Sequence, residues 1–368
     1  MSLNLGTAVH PFVPAKAGTQ GNAVSLCLDS RWSLRSGQPK AGPECGNERG
    51  MARASGLLLA AVTLVTLSAP AAAQVSYYPV PHGAHPHDVA PAPDGTVWYT
   101  AQSQGAIGVL DPKTGTVKQF KLGAGSAPHG VIVGPDRAAW VTDGGQNAIA
   151  RVDPATKAVK LYPLPKEFPA ANLNTASFDR KGVLWFTGQN GVYGRVDPAT
   201  GKVEAFKAPK GVGPYGITTT PSGEVWYASL AGDHIAKIDT VSGDALMVPP
   251  PKPGVGPRRI WADSKNMLWV SFWNTGEVGR YDPNAKSWKV WPLPDSHEGC
   301  YAVYVDDHDK VWVSDWTNNA IVRFDPATEK FASFPSNHRR SDVRQLNGRP
   351  GEVWAAESGT DRLVVVKE

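Results

Sequence analysis

One residue type recurs down this chain at a nearly fixed interval. Trp98, Trp140, Trp185, Trp226, Trp269, Trp312 and Trp354 are spaced 42, 45, 41, 43, 43 and 42 residues apart. Most follow a turn signal, such as Pro93-Asp94-Gly95, Pro135-Asp136 or Pro221-Ser222-Gly223. Past most of them comes a second, acidic turn: Asp-Pro at Asp111, Asp153, Asp197, Asp282 and Asp325, and Asp239-Thr240 in the fourth copy. Asp then Pro suits the first two positions of a type I turn, the corner of a tight hairpin. A short run follows, ending in Phe120, Tyr162, Phe206, Val248, Trp291 or Phe334. Four short β runs per unit, repeated near every 42 residues, specify an all-β, seven-bladed β-propeller with four-stranded blades. A β-sandwich with long loops would not give seven copies of one pattern. The tryptophans themselves read as packing between neighbouring blades.

The two ends of the repeat fit together. The last copy stops at its third strand, Leu363-Val364-Val365-Val366, and lacks a fourth. Tyr77-Tyr78-Pro79-Val80-Pro81 resembles fourth strands elsewhere, such as Tyr162-Pro163-Leu164-Pro165, and Tyr78 lies 42 residues before Phe120. The N-terminal strand is therefore expected to complete the seventh blade and remove two exposed sheet edges.

Ahead of it, Met51 to Ala73 has Arg53, an apolar stretch from Leu57 to Leu67, and Ala71-Ala72-Ala73 before Gln74. This pattern reads as a secretory signal peptide, too short to span a membrane. Residues 1–50 read as a non-structural or mis-assigned leader with Met51 as the start, and 74–368 as the propeller. The product is expected to be a periplasmic or secreted monomer, without a membrane span. Residues 1–73 hold six of the 37 Lys/Arg and three of the 33 Asp/Glu, leaving 31 against 30. A charge so near zero gives no electrostatic footprint for nucleic acid. Cys300 alone remains of three cysteines, so the core must hold without an internal disulfide.

The innermost strand of each blade lines the axial channel. Counting eleven residues back from each tryptophan gives the start of that strand: His87, His129, Asn174, Tyr215, Arg258, Tyr301 and Val343. Six of these seven are polar or aromatic, where a purely structural ring would be aliphatic or small. The loop after the tryptophan strand adds Asp143, Ser229, Trp273, Asp315, Trp316 and Glu357 to the same mouth, and His85 lies two residues before His87. Histidines with a carboxylate suit a transition metal by ligand type, and carboxylates with water suit Mg²⁺. No zinc-protease, phosphate-loop, dinucleotide or nucleophilic-serine motif occurs at a usable spacing.

The repeat runs Pro128-His129-Gly130-Val131, Gly134-Pro135-Asp136, Trp140-Val141-Thr142-Asp143, Asn147-Ala148-Ile149, with a variant in Pro214-Tyr215-Gly216-Ile217 and Trp226-Tyr227-Ala228. Over nearly all of residues 75–366 it resembles the streptogramin lyase (virginiamycin B lyase) family. That resemblance implies a Mg²⁺-dependent carbon–oxygen lyase, which opens a cyclic depsipeptide by elimination at an ester. His129 matches the histidine of the family's E-P-H motif, and His87 the P-H of the preceding blade. They would be the catalytic pair, with His129 as the base. Asp143 approximates the family's second acid, and with Glu357 it would hold the metal. The family's first glutamate is replaced by Ala127. Tyr215, Arg258, Tyr301, Trp273, Trp316 and His85 would bind the substrate, a small molecule or cyclic peptide at the channel mouth. Two other readings stand beside this one: a non-catalytic ligand- or protein-binding propeller of the envelope, and a lactonase-type hydrolase.

Overall fold

The computed structural model describes residues 73–368; the leader and signal segment expected from the sequence lie outside the described residues. Seven four-stranded antiparallel sheets follow one another. Blade 1 is Pro86–Pro91, Val97–Ala101, Ala106–Asp111 and Thr116–Lys121, from the axis outward. Blades 2 to 6 occupy residues 128–163, 173–207, 214–248, 257–292 and 300–335. Blade 7 combines Val343–Arg349, Glu352–Glu357 and Arg362–Lys367 with an outer strand from the other end of the propeller, Gln74–Pro79. That strand pairs antiparallel with Arg362–Lys367, Tyr77 opposite Val364 and Tyr78 opposite Leu363. Helical structure among the described residues is confined to one 3-10 turn, Gln102–Gln104. No helix there is long and apolar enough to cross a membrane.

The recurring tryptophan sits in the second strand of each blade, buried in all seven. Its indole would leave an unpaired N–H in that core, a costly omission. The preceding hairpin supplies an acceptor in six blades: Asp136, Asp179, Glu224, Asp263, Asp306 and Glu352 each accept from the indole N–H. The hairpin before the tryptophan therefore satisfies the indole in six of the seven blades.

A second device fixes the inner strands. Each has a register irregularity near its start, so that in blade 1 both His87 and Asp88 face the single residue Thr100. Such a bulge bends the strand and re-aims its side chains. Two residues past the tryptophan, five blades carry Thr or Ser: Thr100, Thr142, Thr187, Ser271 and Ser314. Each hydroxyl accepts from a bulge N–H of its own blade and donates to a carbonyl of the next. Thr100 accepts from Asp88 N at 3.0 Å and donates to His129 O at 2.8 Å; Ser271 links Arg259 N to Tyr301 O, both at 3.0 Å. Blades 4 and 7 have Ala228 and Ala356 instead. At the closing seam Gln345 Oε1 accepts from Val89 N at 3.1 Å. Blade-to-blade contacts at the axis are thus hydrogen-bonded just beneath the residues that line its mouth.

Candidate functional site

The second residue of each inner strand lines the mouth: His87, His129, Asn174, Tyr215, Arg258, Tyr301 and, in blade 7, Arg344. The spacing from the tryptophan predicts Val343 in blade 7, but the structure has Arg344 there. Trp354 pairs with Asn347, seven residues back, whereas Trp98 pairs with Ala90, eight back. The blade 7 hairpin around Pro350-Gly351 is one residue shorter, so counting across it slips by one. Val343 is buried in the core of the closing blade. Counting from the strand rather than from the tryptophan would have found Arg344.

His87 and His129 come from adjacent blades, their ring centroids 3.9 Å apart. His87 Nδ1 lies 2.7 Å from Asp88 Oδ1, and its Nε2 lies 3.2 Å from the Tyr301 hydroxyl. His129 Nδ1 lies 3.1 Å from the Asn174 carbonyl oxygen, and the Asn174 amide nitrogen is 3.3 Å from Nε2. Carboxylate and carbonyl oxygens only accept, so in both rings Nδ1 carries the proton and Nε2 keeps its lone pair. Burial, then the nearby arginines, hold the His87 pKa well below its usual value; burial and His87 do the same for His129. Both imidazoles are neutral at pH 7.

Three guanidiniums face this pair. Arg258 stacks 3.9 Å from the Tyr301 ring centroid and 4.4 Å from that of Tyr215, and it donates to the Tyr215 hydroxyl at 2.6 Å. Arg344 lies 5.0 Å over Trp316 and donates through Nε to Ser358 Oγ at 2.8 Å. Arg259, only 3% exposed, crosses the axis from blade 5 to Asp88 of blade 1 at 3.3 Å and also donates to Thr175. Burial pushes the Asp88 carboxyl up, against the pull of Arg259. Burial alone would raise the Tyr301 phenol too, but Arg258, Arg344 and Arg259 outweigh it and bring that pKa to about 8. Trp316 stacks on Tyr301 at 5.3 Å, with Trp273 edge-on at 5.9 Å. Both tryptophans are half-buried. Beneath the Asp88–Arg259 layer the axis widens into a cavity of 460 Å³, lined in part by Thr175, Thr218, Trp261 and Asn347.

The structure therefore brings together His87, His129, Tyr215, Arg258, Tyr301, Trp273 and Trp316. His85 is exposed, and its Nδ1 meets the Ser358 carbonyl oxygen at 3.0 Å, on the residue that also holds Arg344. Asp143 and Glu357 are placed differently. The Asp143 carboxylate turns into its own loop, accepting from Ala127 N at 2.9 Å, Gln146 N at 3.0 Å and Ser126 Oγ. Glu357 is bound by Arg362 Nε at 2.9 Å and by Thr360. Both occupy the last position of a second strand, whose side chain closes the following turn. The next residue along faces the mouth, as Trp273 and Trp316 do.

Among the described residues, His87, Asp88 and His129 place potential ligand atoms within 4.8 Å of one another. Mg²⁺ prefers oxygen donors, chiefly carboxylates and water. Here the one carboxylate is already paired with Arg259, and two further guanidiniums stand close by. This donor set does not fit Mg²⁺. Sequence reasoning missed Asp88 and Arg259, which are 171 residues apart and meet only through closure of the ring.

The sequence matches the profile of the Virginiamycin B lyase family over residues 66–195 and 123–368. The chain belongs to that family. Among solved structures it is similar to virginiamycin B lyase from Staphylococcus aureus, with 20% identity, a TM-score of 0.73, and coverage of 81% of this chain and all of that one. The same values hold for a catalytically inactive His-to-Ala variant of that enzyme with quinupristin. A streptogramin B lyase matches at 20% identity and TM-score 0.73, over 80% of this chain and 97% of that one. At this identity the likeness establishes the fold alone. No curated protein matches the sequence.

Proposed function

We propose that the mouth of the channel is the site of a carbon–oxygen lyase that opens a cyclic ester or depsipeptide by elimination without a metal. The observation that carries this reading is the pair of neutral imidazoles from adjacent blades, each with Nδ1 donating to an oxygen and an Nε2 lone pair engaged by a long contact, 3.2 Å from the Tyr301 hydroxyl in His87 and 3.3 Å from the Asn174 amide in His129, that a substrate proton can displace. His129 Nε2 takes the proton α to a carbonyl, as its match to the family's E-P-H histidine suggests. The electrons of the broken C–H bond form the alkene as the β carbon–oxygen bond breaks. The ester's two oxygens leave as a carboxylate. The hydroxyl and guanidinium donors of Tyr215, Tyr301, Arg258 and Arg344 supply the positive potential that stabilises charge on oxygen in a buried site. His87, backed by Asp88, orients the substrate from the neighbouring blade.

Mass spectrometry of products from virginiamycin B and a panel of cyclic esters tests this directly. Elimination leaves the product mass equal to that of the substrate; hydrolysis adds one water. Turnover by elimination that survives EDTA supports the reading, and a hydrated product overturns it. A second reading, a binding propeller, is favoured by the stack of Arg258 between Tyr215 and Tyr301, a sticky aromatic surface. It would stand if ligands bind and no ester is opened. We also propose export with cleavage after Ala73. The closing strand begins at Gln74, so the cut would leave the ring complete. N-terminal sequencing of the exported protein checks this.

A further inference from the structure

We propose that the mouth binds a carboxylate carried on an apolar or aromatic body, with Arg258 and Arg344 as its counter-charges. This deepens the lyase reading by naming a ligand class for the same site, although a binding measurement tests it without turnover.

The fixed charges of the mouth do not cancel. Arg258, Arg259 and Arg344 all reach the rings of the mouth, Arg258 and Arg344 lying 3.9 and 5.9 Å from the Tyr301 centroid and Arg259 5.2 Å from that of Tyr215. The carboxylate among them, Asp88, is taken by Arg259. Asp143 and Glu357 are held in their own loops. Among the described residues, neither Arg258 nor Arg344 has a carboxylate partner; their acceptors are the neutral oxygens of Tyr215 and Ser358. Both histidines are neutral and offset nothing. Partly buried guanidiniums are ordinarily paired, because removing a charge from water without a partner is costly. Arg258 Nε is buried with no acceptor, and so is Nε of the almost fully buried Arg259.

Shape selects the anion. Arg344, whose protein hydrogen bond is made through Nε, keeps its two Nη groups for a carboxylate, which they match in two parallel bonds, and Arg258, bound to Tyr215 through Nη2, keeps Nη1. Arg258 lies over Trp273 at 4.6 Å and Arg344 over Trp316 at 5.0 Å. The half-exposed faces of the two tryptophans, whose centroids are 6.1 Å apart, then form a wall for the apolar body that carries the carboxylate. Elimination of an ester generates such a group as its leaving fragment. An anion here would also relieve the field that disfavours protonating His87 and His129, so binding and proton abstraction would reinforce each other.

The test uses the full-length protein and its tryptophan fluorescence, with N-acetylphenylalanine as the probe and N-acetylphenylalanine amide as its uncharged match. The acid should bind at least about tenfold more tightly than the amide, as one charge-assisted pair implies. Its affinity should fall with added salt, and it should fall about tenfold or more in Arg344→Gln. Arg344→Lys, which keeps the charge and loses the fork, should fall between the two. Equal binding of acid and amide would overturn the proposal, as would no binding by a protein that melts cooperatively. Inorganic phosphate competing as well as the acid would overturn the assignment to a carboxylate. A protein that binds the acid yet opens no ester would sink the lyase reading and leave this one standing.

Discussion

The seven blades repeat two positions in opposite ways. Eleven residues or so separate them in sequence, yet one is tryptophan every time and the other is His, His, Asn, Tyr, Arg, Tyr and Arg. The tryptophan meets much the same neighbours from blade to blade: in four a large ring from the outer strand, Tyr162 on Trp140, Trp291 on Trp269, Phe334 on Trp312 and Tyr78 on Trp354, and in six an acid in the hairpin below. One physical problem repeated seven times has one solution. The mouth position has no such fixed problem. It faces the shared axis, where each blade meets six different ones, and its composition reports what the axis does. Repetition therefore marks the residues that hold the ring, and variation within the repeat marks those that give it chemistry.

The ladder breaks hardest. Trp269→Ala removes a fully buried indole packed on Trp291 and Phe324 and takes from Asp263 Oδ2 its donor. It should cost about 3–5 kcal/mol of stability, read by denaturant unfolding. The hydroxyl links between blades come next. Thr142 accepts from Gly130 N at 2.8 Å and donates to the Asn174 carbonyl that also receives His129 Nδ1. Thr142→Val keeps the shape and loses both bonds, and should cost about 1–3 kcal/mol. A change under a few tenths would mean that water replaces the hydroxyl.

Residues of the mouth should behave differently. Arg344→Gln removes a cation without a carboxylate partner, so stability should hold or rise slightly in the same assay. A loss comparable to that of Trp269→Ala would erase the distinction between ladder and mouth. The pH dependence sharpens it further. His87 and His129 are neutral in the fold, whereas the unfolded chain takes up protons below its ordinary histidine value of 6.5. The unfolded state then binds more protons, so stability is fully present above that value and falls as the pH drops through it. The slope should be up to about 1.4 kcal/mol per pH unit for each histidine. Melts between about pH 7.5 and 6, above the range where most carboxylates titrate, should show it, and His87→Gln should reduce it without abolishing it, because His129 and the buried His234 are held below the usual value too.

How much was legible in the sequence follows the same division. The ladder spacing, the acidic turns and the unfinished last copy carried the whole architecture, because each is a local consequence of hairpins and packing. Most of the mouth followed by counting along the chain. The count failed at Arg344, where the hairpin before Trp354 is one residue short. It also could not show where Asp143 and Glu357 point, since at a strand end one step along the chain separates a side chain that closes a loop from one that faces the axis. The Asp88–Arg259 pair was out of reach for a different reason. It depends on a bulge in each inner strand and on two blades meeting across the axis, and neither leaves a mark in spacing.

The most direct test of the account is the rate of ester opening in EDTA by the wild-type protein and by His129→Ala, with both shown to melt alike. A metal-free site built on the mouth predicts that the wild type turns over in EDTA, and that the variant keeps its fold but loses about 10²- to 10⁴-fold in rate. Turnover that EDTA abolishes and Mg²⁺ restores, or equal rates for the two proteins, would contradict it.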